Sequence, residues 1–319
     1  MIRKQILGIH HVTAIAGDPQ RNLDFYSGVL GLRLVKLTVN YDDPGTYHLY
    51  YGDYSGHPGT LITFFPWKGV PRGVVGNGQM TVTSFAVPSG SLDFWARRLS
   101  DRKIPFSGPA SRFGDQVLSL RDYDGMQVEL VSSSVPDPRS GWVRGPIPDD
   151  AAIRGIHGAT FAVATPGKTI RLLIETMGFE PAGEQDGRLR YQIGDGSVTG
   201  YVDVIETPLS QRGRQGAGSV HHIAWRTPDD AQQLAWREEL VHQGLGVSPV
   251  MDRKYFHSIY YREPNGILFE IATDPPGMTV DQPLEELGHK LVLPPWLEPR
   301  RAELVATLPK LNIGELQHA

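Results

Sequence analysis

The segment Gly8-Ile-His-His-Val-Thr13 returns late in the chain as Ser219-Val-His-His-Ile-Ala224. Two segments between them begin in a similar way, Gln79-Met-Thr-Val-Thr-Ser84 and Gly155-Ile-His-Gly-Ala-Thr160. Each continues into short apolar residues and then a turn with proline or glycine, a pattern typical of a strand and its exit. The chain therefore contains a fourfold internal repeat, which constrains the fold more than any single motif does.

The repeated unit extends well beyond its first strand. In the first copy, apolar residues recur at helical spacing from Leu23 to Leu30, and Gly31 ends the run. The last strand of each copy starts after a glycine, in Gly59-Thr-Leu-Ile-Thr63, Gly125-Met-Gln-Val-Glu129, Gly200-Tyr-Val-Asp-Val204 and Gly266-Ile-Leu-Phe-Glu270. The unit is predicted to be a strand, a helix and three further strands.

Composition narrows the class of protein. The 319 residues include 40% hydrophobic and 21% charged side chains, which suits a globular protein able to bury a core. A net charge of -4 argues against a nucleic-acid partner, and the absence of cysteine excludes disulfide scaffolds and thiolate metal sites. We find neither a signal peptide nor an apolar stretch long enough to span a membrane, so we expect a cytoplasmic protein without a membrane partner.

The succession of units resembles the vicinal oxygen chelate superfamily, in which βαβββ modules pair to curl sheets into a metal-holding cup. The resemblance runs from about Gly8 to Asp274. It implies an α+β fold in which four modules form two cup-shaped mixed β-sheet units. We expect one pair of modules in 1–140, a second pair in 150–275 and a proline-rich tail in 276–319. The tail should carry one short helix near 298–308 and serve as a packing arm or a dimer contact, so a homo-oligomer is allowed.

Equivalent positions of the repeat indicate which modules share a metal. Side chains alternate faces along a strand, so equal offsets from the start of a module point the same way. The position that His11 occupies on the first strand of module 1 is occupied in modules 2, 3 and 4 by Val82, Gly158 and His222. On the last strands the fourth residue after the glycine is, in the same order, Thr63, Glu129, Val204 and Glu270. A cup offers four such corners, two from each module.

Only the pairing of modules 1 and 4 collects three metal ligands. It unites His11, His222 and Glu270, with Thr63 at the remaining corner. Two imidazoles and one carboxylate leave open positions on Fe(II) for a substrate and oxygen. Fe(II) is therefore the predicted cofactor, with Mn(II) as the alternative. The other pairing offers only Glu129, so that cup is expected to be metal-free, and Glu129 to be a hydrogen-bonded acid or a relic.

Several local runs narrow the resemblance to the ring-cleaving dioxygenases that act on hydroquinones. These runs are Leu49-Tyr-Tyr-Gly-Asp53, Pro58-Gly-Thr60, Arg112-Phe-Gly114, Asp252-Arg-Lys-Tyr-Phe-His-Ser258, Tyr260-Tyr-Arg-Glu-Pro264 and Phe269-Glu-Ile-Ala-Thr-Asp-Pro275. The resemblance implies insertion of O2 into a hydroquinone- or catechol-like diol at a mononuclear Fe(II). The metal triad of that family falls on His11, His222 and Glu270, and its pocket residues fall on Thr13, His221, Arg253 and Tyr260.

The roles of the pocket residues follow as hypotheses. Arg253 can stabilise an anionic oxygen, and His221 and Tyr260 are acid or base candidates. Thr13 shares the ligand face and is expected to touch substrate, with His257 as a weaker candidate. His10 and His221 precede ligands and should face away from them by alternation, unless the strand of His221 bends.

Further residues are assigned structural roles, and the fold is compatible with two other classes of function. His157 is out of phase with the ligands and is interpreted as structural. The aromatic residues Phe64, Phe65, Trp67 and Trp225 are expected mainly in core packing, with pocket walls as the alternative. The same fold also serves glyoxalase-type isomerases or lyases and proteins that sequester small molecules without catalysis.

Overall fold

The computed structural model of the protein describes residues 4–194 and 198–314, and all four modules have the predicted order of elements. Module 1 consists of β1 (Ile9–Ala16), α1 (Pro19–Leu23), β2 (Arg33–Asn40), β3 (Asp43–Gly52) and β4 (Leu61–Pro66). Module 2 consists of β5 (Gln79–Val87), α2 (Leu92–Asp101), β6 (Phe106–Arg112), β7 (Asp115–Arg121) and β8 (Gln127–Ser132).

The other two modules repeat this order. Module 3 consists of β9 (Gly155–Val163), α3 (Pro166–Arg171), β10 (Glu180–Gln185), β11 (Arg188–Gly194) and β12 (Thr199–Glu206). Module 4 consists of β13 (Ser219–Thr227), α4 (Asp230–His242), β14 (Met251–Asp252), β15 (Phe256–Arg262) and β16 (Leu268–Pro276). The short helices α1 and α3 continue as π-helical turns, Asp24–Val29 and Leu172–Thr176.

Local chemistry explains where the helices of modules 1 and 4 begin. The Asp18 carboxylate accepts a hydrogen bond of 2.8 Å from the backbone N–H of Arg21, and Pro19 occupies the first helical turn. The Asp229 carboxylate likewise accepts a hydrogen bond of 2.8 Å from the backbone N–H of Gln232. These aspartates mark where each chain segment turns from its first strand into the helix.

The strands form two eight-stranded mixed sheets, and the pairing predicted for modules 1 and 4 is confirmed. One sheet has the order β14-β15-β16-β13-β1-β4-β3-β2, so it contains only strands of modules 1 and 4. The other has the order β10-β11-β12-β9-β5-β8-β7-β6 and belongs to modules 2 and 3. Each sheet combines one module from 1–140 with one module from 150–275. The division of the chain into two domains at these boundaries stays a prediction.

Within each sheet the two modules join through their first strands, and these strands are bulged. β1 and β13 pair antiparallel, with His10 as an extra residue on β1 and His221 as an extra residue on β13. The equivalent pair, β5 and β9, has extra residues at Thr81 and His157. A bulge locally breaks the alternation of side chains between the two faces of a strand. This break decides where the histidines beside the predicted ligands point.

One apolar core runs through all four modules. Each of the four modules inserts a large buried side chain from its helical segment, and these are Phe25, Trp95, Leu173 and Trp236. Phe64 and Trp225 are also fully buried in this core, as expected from the sequence. This core joins both sheets, and a smaller apolar cluster that includes Val35, Leu61 and Met278 packs separately between the first sheet and the tail.

The C-terminal tail lies across β2 and β3 of its own chain. The ammonium group of the fully buried Lys36 donates to the backbone oxygen of Met278 at 2.9 Å and to Asp281 at 2.7 Å. The backbone N–H of Val292 donates to the backbone oxygen of Leu37 at 2.9 Å. The helix expected near 298–308 is present as a 3₁₀ turn, Glu298–Arg300, followed by α5 (Arg301–Thr307). This is the placement expected of a packing arm. Within residues 4–194 and 198–314, no helix is both long enough and apolar enough to span a membrane.

Candidate metal centre

Three strands bring the predicted ligands to one buried point. His11 lies on β1, His222 on β13 and Glu270 on β16, and their exposed fractions are 2%, 4% and 0%. The Nε2 atom of His222 lies 2.8 Å from Oε2 of Glu270, and Nε2 of His11 lies 3.4 Å from the same oxygen. The two Nε2 atoms are 3.4 Å apart. Residues 211 positions apart thus meet because modules 1 and 4 share a sheet.

The spacing of these atoms fits a divalent metal. Metal–ligand bonds of about 2.1 Å at right angles would put neighbouring donor atoms about 3 Å apart. Oε1 of Glu270 accepts a short hydrogen bond of 2.5 Å from the Ser258 hydroxyl. Within the described part of the chain, Oε2 accepts no hydrogen bond of normal geometry although it is buried. A buried carboxylate oxygen of this kind, facing two imidazole nitrogens, is the donor arrangement of a metal site.

The protonation states also suit metal ligation. Burial opposes ionisation of Glu270, but the neighbouring His11 and His222 more than offset it and hold its pKa well below the ordinary value. Burial lowers the pKa of His222, although Glu270 works against that shift. At neutral pH the site therefore presents an ionised carboxylate beside an unprotonated imidazole, the forms that bind a cation.

A second histidine supports each histidine of the triad. Nδ1 of His10 lies 2.9 Å from Nδ1 of His11, and Nδ1 of His221 lies 2.7 Å from Nδ1 of His222. Alternation alone predicted that both would face away, and the bulges on β1 and β13 explain why they do not. Each contact holds the ring of a triad histidine through the nitrogen that faces away from Glu270, which fixes its orientation.

A cavity of about 400 Å³ opens beside the triad. Four of the residues predicted from the sequence line it, namely Thr13, His221, Arg253 and Tyr260. Phe65, Trp67 and Phe256 supply aromatic wall, so Phe65 and Trp67 are pocket residues rather than core residues alone. Asn40, Tyr41, Asp42 and Asp43, from the turn between β2 and β3, contribute a polar rim. The cavity is large enough for one aromatic ring with small substituents.

Arg253 and Tyr260 form the polar end of this cavity. The Arg253 Nε–H donates to the Tyr260 hydroxyl at 3.2 Å, and Nη1 of Arg253 lies 3.1 Å from the Asp42 carboxylate. Tyr260 is paired with Glu270 across the hairpin of β15 and β16. Burial, followed by the charge of Glu270, raises the pKa of Tyr260 above its ordinary value, so the phenol keeps its proton.

His221 lies at the side of the cavity and is uncharged at neutral pH. Burial, followed by the neighbouring His222, lowers the pKa of its imidazole to about 3. Its Nδ1 is engaged by His222, which leaves Nε2 for a partner in the cavity. The ring can therefore exchange hydrogen bonds with a bound molecule without carrying a charge.

The prediction for His257 needs correction. His257 does not line the cavity, because it lies on the opposite face of β15 from Ser258 and Tyr260. Its Nδ1 atom is 2.6 Å from the carboxylate of Asp230 at the start of α4. His257 is thus part of the packing between β15 and α4, outside the group of site residues.

His48 is a cavity residue that the sequence argument missed. Its Nε2 atom lies 2.9 Å from the Thr63 hydroxyl, and its Nδ1 atom lies 2.9 Å from the Tyr50 hydroxyl. A signal was present, since His48-Leu-Tyr-Tyr-Gly-Asp53 matches Ser258-Ile-Tyr-Tyr-Arg-Glu263 of module 4 position by position. The register of the last two strands of each module agrees, with Tyr50 opposite Thr63 and Tyr260 opposite Glu270.

The second sheet holds an ion pair where the first holds the triad. Both carboxylate oxygens of Glu129 accept from the guanidinium of Arg112, at 2.8 and 2.9 Å, and Ser84 adds a third bond of 2.9 Å. Glu129 is therefore the buried, hydrogen-bonded acid of the two alternatives weighed for it. His157 is buried on the bulge of β9, as expected for a structural residue.

Comparison with known proteins gives consistent results. The profile of the Glyoxalase/Bleomycin resistance protein/Dioxygenase superfamily matches residues 8–130 and 155–271. MhqO of Bacillus subtilis (strain 168), provisionally named a ring-cleaving dioxygenase, is 48% identical over 313 residues, covering 98% of this chain and 99% of MhqO. The chlorohydroquinone/hydroquinone 1,2-dioxygenase of Sphingobium indicum is 33% identical over 313 residues, covering 96% of this chain and 97% of that enzyme.

A solved structure supports the same relationship. The crystal structure of a provisionally named dioxygenase from Bacillus subtilis subsp. subtilis str. 168 superposes with a TM-score of 0.93 at 47% identity. The match covers 98% of this chain and 100% of that one. The relatives thus support an oxygenase-type enzyme whose fold is shared over nearly the whole chain.

Proposed function

Because the chain belongs to the Glyoxalase/Bleomycin resistance protein/Dioxygenase superfamily, we propose that it is a ring-cleaving dioxygenase for a hydroquinone- or catechol-like diol. In this proposal His11, His222 and Glu270 hold one Fe(II), with Mn(II) as the alternative. The observation that carries it is the meeting of these three donors at one end of an aromatic cavity with few charged groups. The name of the Sphingobium indicum relative supports the hydroquinone class of substrate, and the name of MhqO supports ring cleavage.

The metal and the cavity would divide the chemistry between them. When bound, the metal supplies Lewis acidity that lowers the pKa of a ring hydroxyl, and open positions where the diol and dioxygen meet. Phe65, Trp67 and Phe256 exclude water and hold the plane of the ring. His10 and His221 keep the imidazoles of the triad oriented through their Nδ1 atoms.

The polar end of the cavity would hold the other side of the ring. Arg253 remains a cation because Tyr260, Asp42 and Glu270 together outweigh the effect of burial and raise its pKa. Its guanidinium can donate to a second ring oxygen, which a para-diol needs because it reaches the metal through one oxygen only. The Tyr260 oxygen already accepts from Arg253, so its own O–H is available as a proton donor toward the ring.

His221 and Thr13 would act nearer to the triad. The uncharged His221 would donate from Nε2–H to a ring oxygen, because its Nδ1 accepts from the Nδ1–H of His222 when Nε2 of His222 faces the metal. Thr13 lies two residues beyond His11 and presents its hydroxyl to the same cavity. Together these groups would place hydrogen-bond donors around the reacting part of the substrate.

The proposal is tested by loading purified protein with Fe(II) under argon and then admitting isotope-labelled dioxygen with hydroquinone or catechol. We expect about one iron per chain, oxygen consumption with at least one diol, and a ring-opened product that contains both labelled oxygen atoms. Conversion of a thiohemiacetal under argon, with Zn(II) or Ni(II) and without oxygen demand, would favour an isomerase. Absence of metal uptake and of oxygen consumption would favour a sequestering protein.

A further inference from the structure

We propose that Tyr50, His48 and Thr63 form a hydrogen-bond relay that makes the hydroxyl of Thr13 a donor directed into the cavity. The relay would direct the O–H bond of Thr13 toward the space beside the metal triad. That donor would bind a substrate oxygen that accepts a hydrogen bond, such as a phenolate, in preference to a hydroxyl that has to donate one. The inference rests on the proposed function, since the cavity is taken to be the substrate site. The three relay residues are positioning residues that act through Thr13.

The relay is continuous and all its atoms lie within ordinary hydrogen-bond distances. The Tyr50 hydroxyl is 2.9 Å from Nδ1 of His48, and Nε2 of His48 is 2.9 Å from the Thr63 hydroxyl. The Thr63 hydroxyl is 2.8 Å from the hydroxyl of Thr13. Tyr50 and Thr13 are each 1% exposed and Thr63 is 0% exposed, so bulk water has little access to three of the four groups.

The chain of bonds can run in two directions, and they differ in cost. If Thr13 donated to Thr63, Thr63 would donate to His48, and His48 would donate to Tyr50. Tyr50 and Thr13 both line the cavity, so the directions differ in the strength of the donors rather than in access to it. The phenol of Tyr50 is the more acidic hydroxyl and the poorer acceptor, which favours donation by Tyr50 to the imidazole. In the opposite direction Tyr50 donates to His48, and the one proton left over belongs to Thr13, which faces the cavity.

The environment of His48 keeps its imidazole neutral, as the relay requires. Burial, followed by the nearby His11, lowers the pKa of His48 well below its ordinary value, so the ring carries one proton rather than two. Burial likewise raises the pKa of Tyr50, which keeps its phenol proton. The imidazole is held between the rings of Tyr50 and Phe65, with centroid distances of 4.1 and 4.4 Å. With Nδ1 accepting from Tyr50, the proton of the ring sits on Nε2 and points at Thr63.

The repeat relates the relay residues of module 1 to the residues around the metal triad in module 4. Thr63 occupies in module 1 the position that Glu270 occupies in module 4, and His48 occupies the position of Ser258. Ser258 donates to Glu270, and His48 contacts Thr63 in the same way. Thr63, at the position without a metal ligand, therefore takes part in hydrogen bonds instead. Its recognition chemistry suits an ionised ring oxygen or another anionic oxygen near the metal.

The test uses 4-nitrophenol, whose absorption reports ionisation, and protein loaded with redox-inactive Zn(II). Titrations give the dissociation constant for wild type, His48→Leu, His48→Gln, Thr63→Val and the double variant His48→Leu/Thr63→Val. Each apolar substitution should weaken binding of the phenolate by about tenfold, the usual effect of losing a hydrogen bond to a charged group. The double variant should lose no more than either single variant, because one broken link already releases Thr13.

His48→Gln is the matched control. A glutamine amide can place an N–H near the position of Nε2 and still donate to Thr63, so binding should stay within about threefold of wild type. Circular dichroism and zinc content establish that each variant is folded and loaded, and Thr63→Val carries the test alone if His48→Leu does not fold.

Additive losses, an unchanged affinity in Thr63→Val, or equal losses in His48→Gln and His48→Leu would overturn the relay. Each of those results is obtained with wild-type protein that binds the probe. If zinc-loaded wild type binds no 4-nitrophenol at all, the proposed substrate site itself is wrong. Failure of the relay and failure of the proposed function are thereby distinguished.

Discussion

Replacing the two equivalent glutamates, one in each sheet, should have opposite consequences. Glu270→Gln exchanges the anionic donor of the triad for a neutral amide. Glu129→Gln changes the same repeat position in the second sheet, where the carboxylate is engaged by Arg112. Each variant is the control for the other, because the side-chain volume and the position in the module are the same. We expect Glu270→Gln to lose metal and Glu129→Gln to lose stability.

The contacts allow both effects to be sized. Losing a hydrogen-bonding partner of a metal ligand costs about 10–100-fold in affinity, so losing the only anionic ligand should cost more than about a hundredfold. Removing one member of a buried ion pair costs about 3–5 kcal/mol. The Arg112 side chain is 20% exposed, so the lower end applies. In a chain of this size about 3 kcal/mol corresponds to a fall of about 4–5 °C in Tm.

Two measurements on metal-free protein decide the matter. Competition with a chromophoric chelator gives the metal affinity, and calorimetry or circular dichroism gives the Tm. Glu270→Gln should melt within about 2 °C of wild type, since no cation in its ion-pair contacts is left unpaired. Full metal affinity in Glu270→Gln would remove this residue from the triad. Loss of metal in Glu129→Gln, without unfolding, would move the metal centre to the second sheet.

Three further outcomes are expected. Arg253→Met should lower kcat/KM for a para-diol by about 30–100-fold, from a charge-assisted bond of about 2–3 kcal/mol, and lower it less for a catechol; equal losses would take Arg253 away from the substrate. His257→Ala should change kcat/KM for either diol by less than about twofold, and a larger fall would return His257 to the cavity. Asp281→Asn should lower the Tm by about 4 °C, because the carboxylate that Lys36 and Lys254 share loses its charge; an unchanged Tm would show that the tail adds no stability.

The repeat explains why so much of the fold and the triad could be predicted. Equal offsets place side chains on the same face only if each module keeps the same strands in the same register. His11 and His222 occupy equivalent positions, and the sheet brings them together across β1 and β13. Glu270 follows from the same rule on the last strand. Alignment of the modules with one another therefore carried information that neither composition nor a single motif contains.

The parts that sequence reasoning missed depend on local departures from regular strands. The bulges at His10 and His221 turn side chains that alternation assigns to the opposite face. A bulge has no signature in this sequence beyond a histidine at the same offset in three modules. His257 shows the opposite error, since the sequence around it resembles a pocket segment while the face of β15 on which it lies meets α4.

His48 shows a different limit. The residue that supports the fourth corner is serine in module 4 and histidine in module 1, so the repeat preserves the position but not the side chain. Its role follows only when the distance to Thr63 is known. The third strands carry the same kind of signal as the first and last strands, because His48 and Ser258 occupy equivalent positions in modules 1 and 4.

Because the candidate metal centre combines the first and the last module, it can form only late in synthesis of the chain. A nascent chain carries His11 from the start, but its partners on β13 and β16 leave the ribosome only when about two-thirds to five-sixths of the protein has been made. Modules 2 and 3, which are adjacent in sequence, can close their own sheet before then. A chain that ends before Glu270 can therefore form the sheet of modules 2 and 3 while the set of three proposed metal ligands is still incomplete.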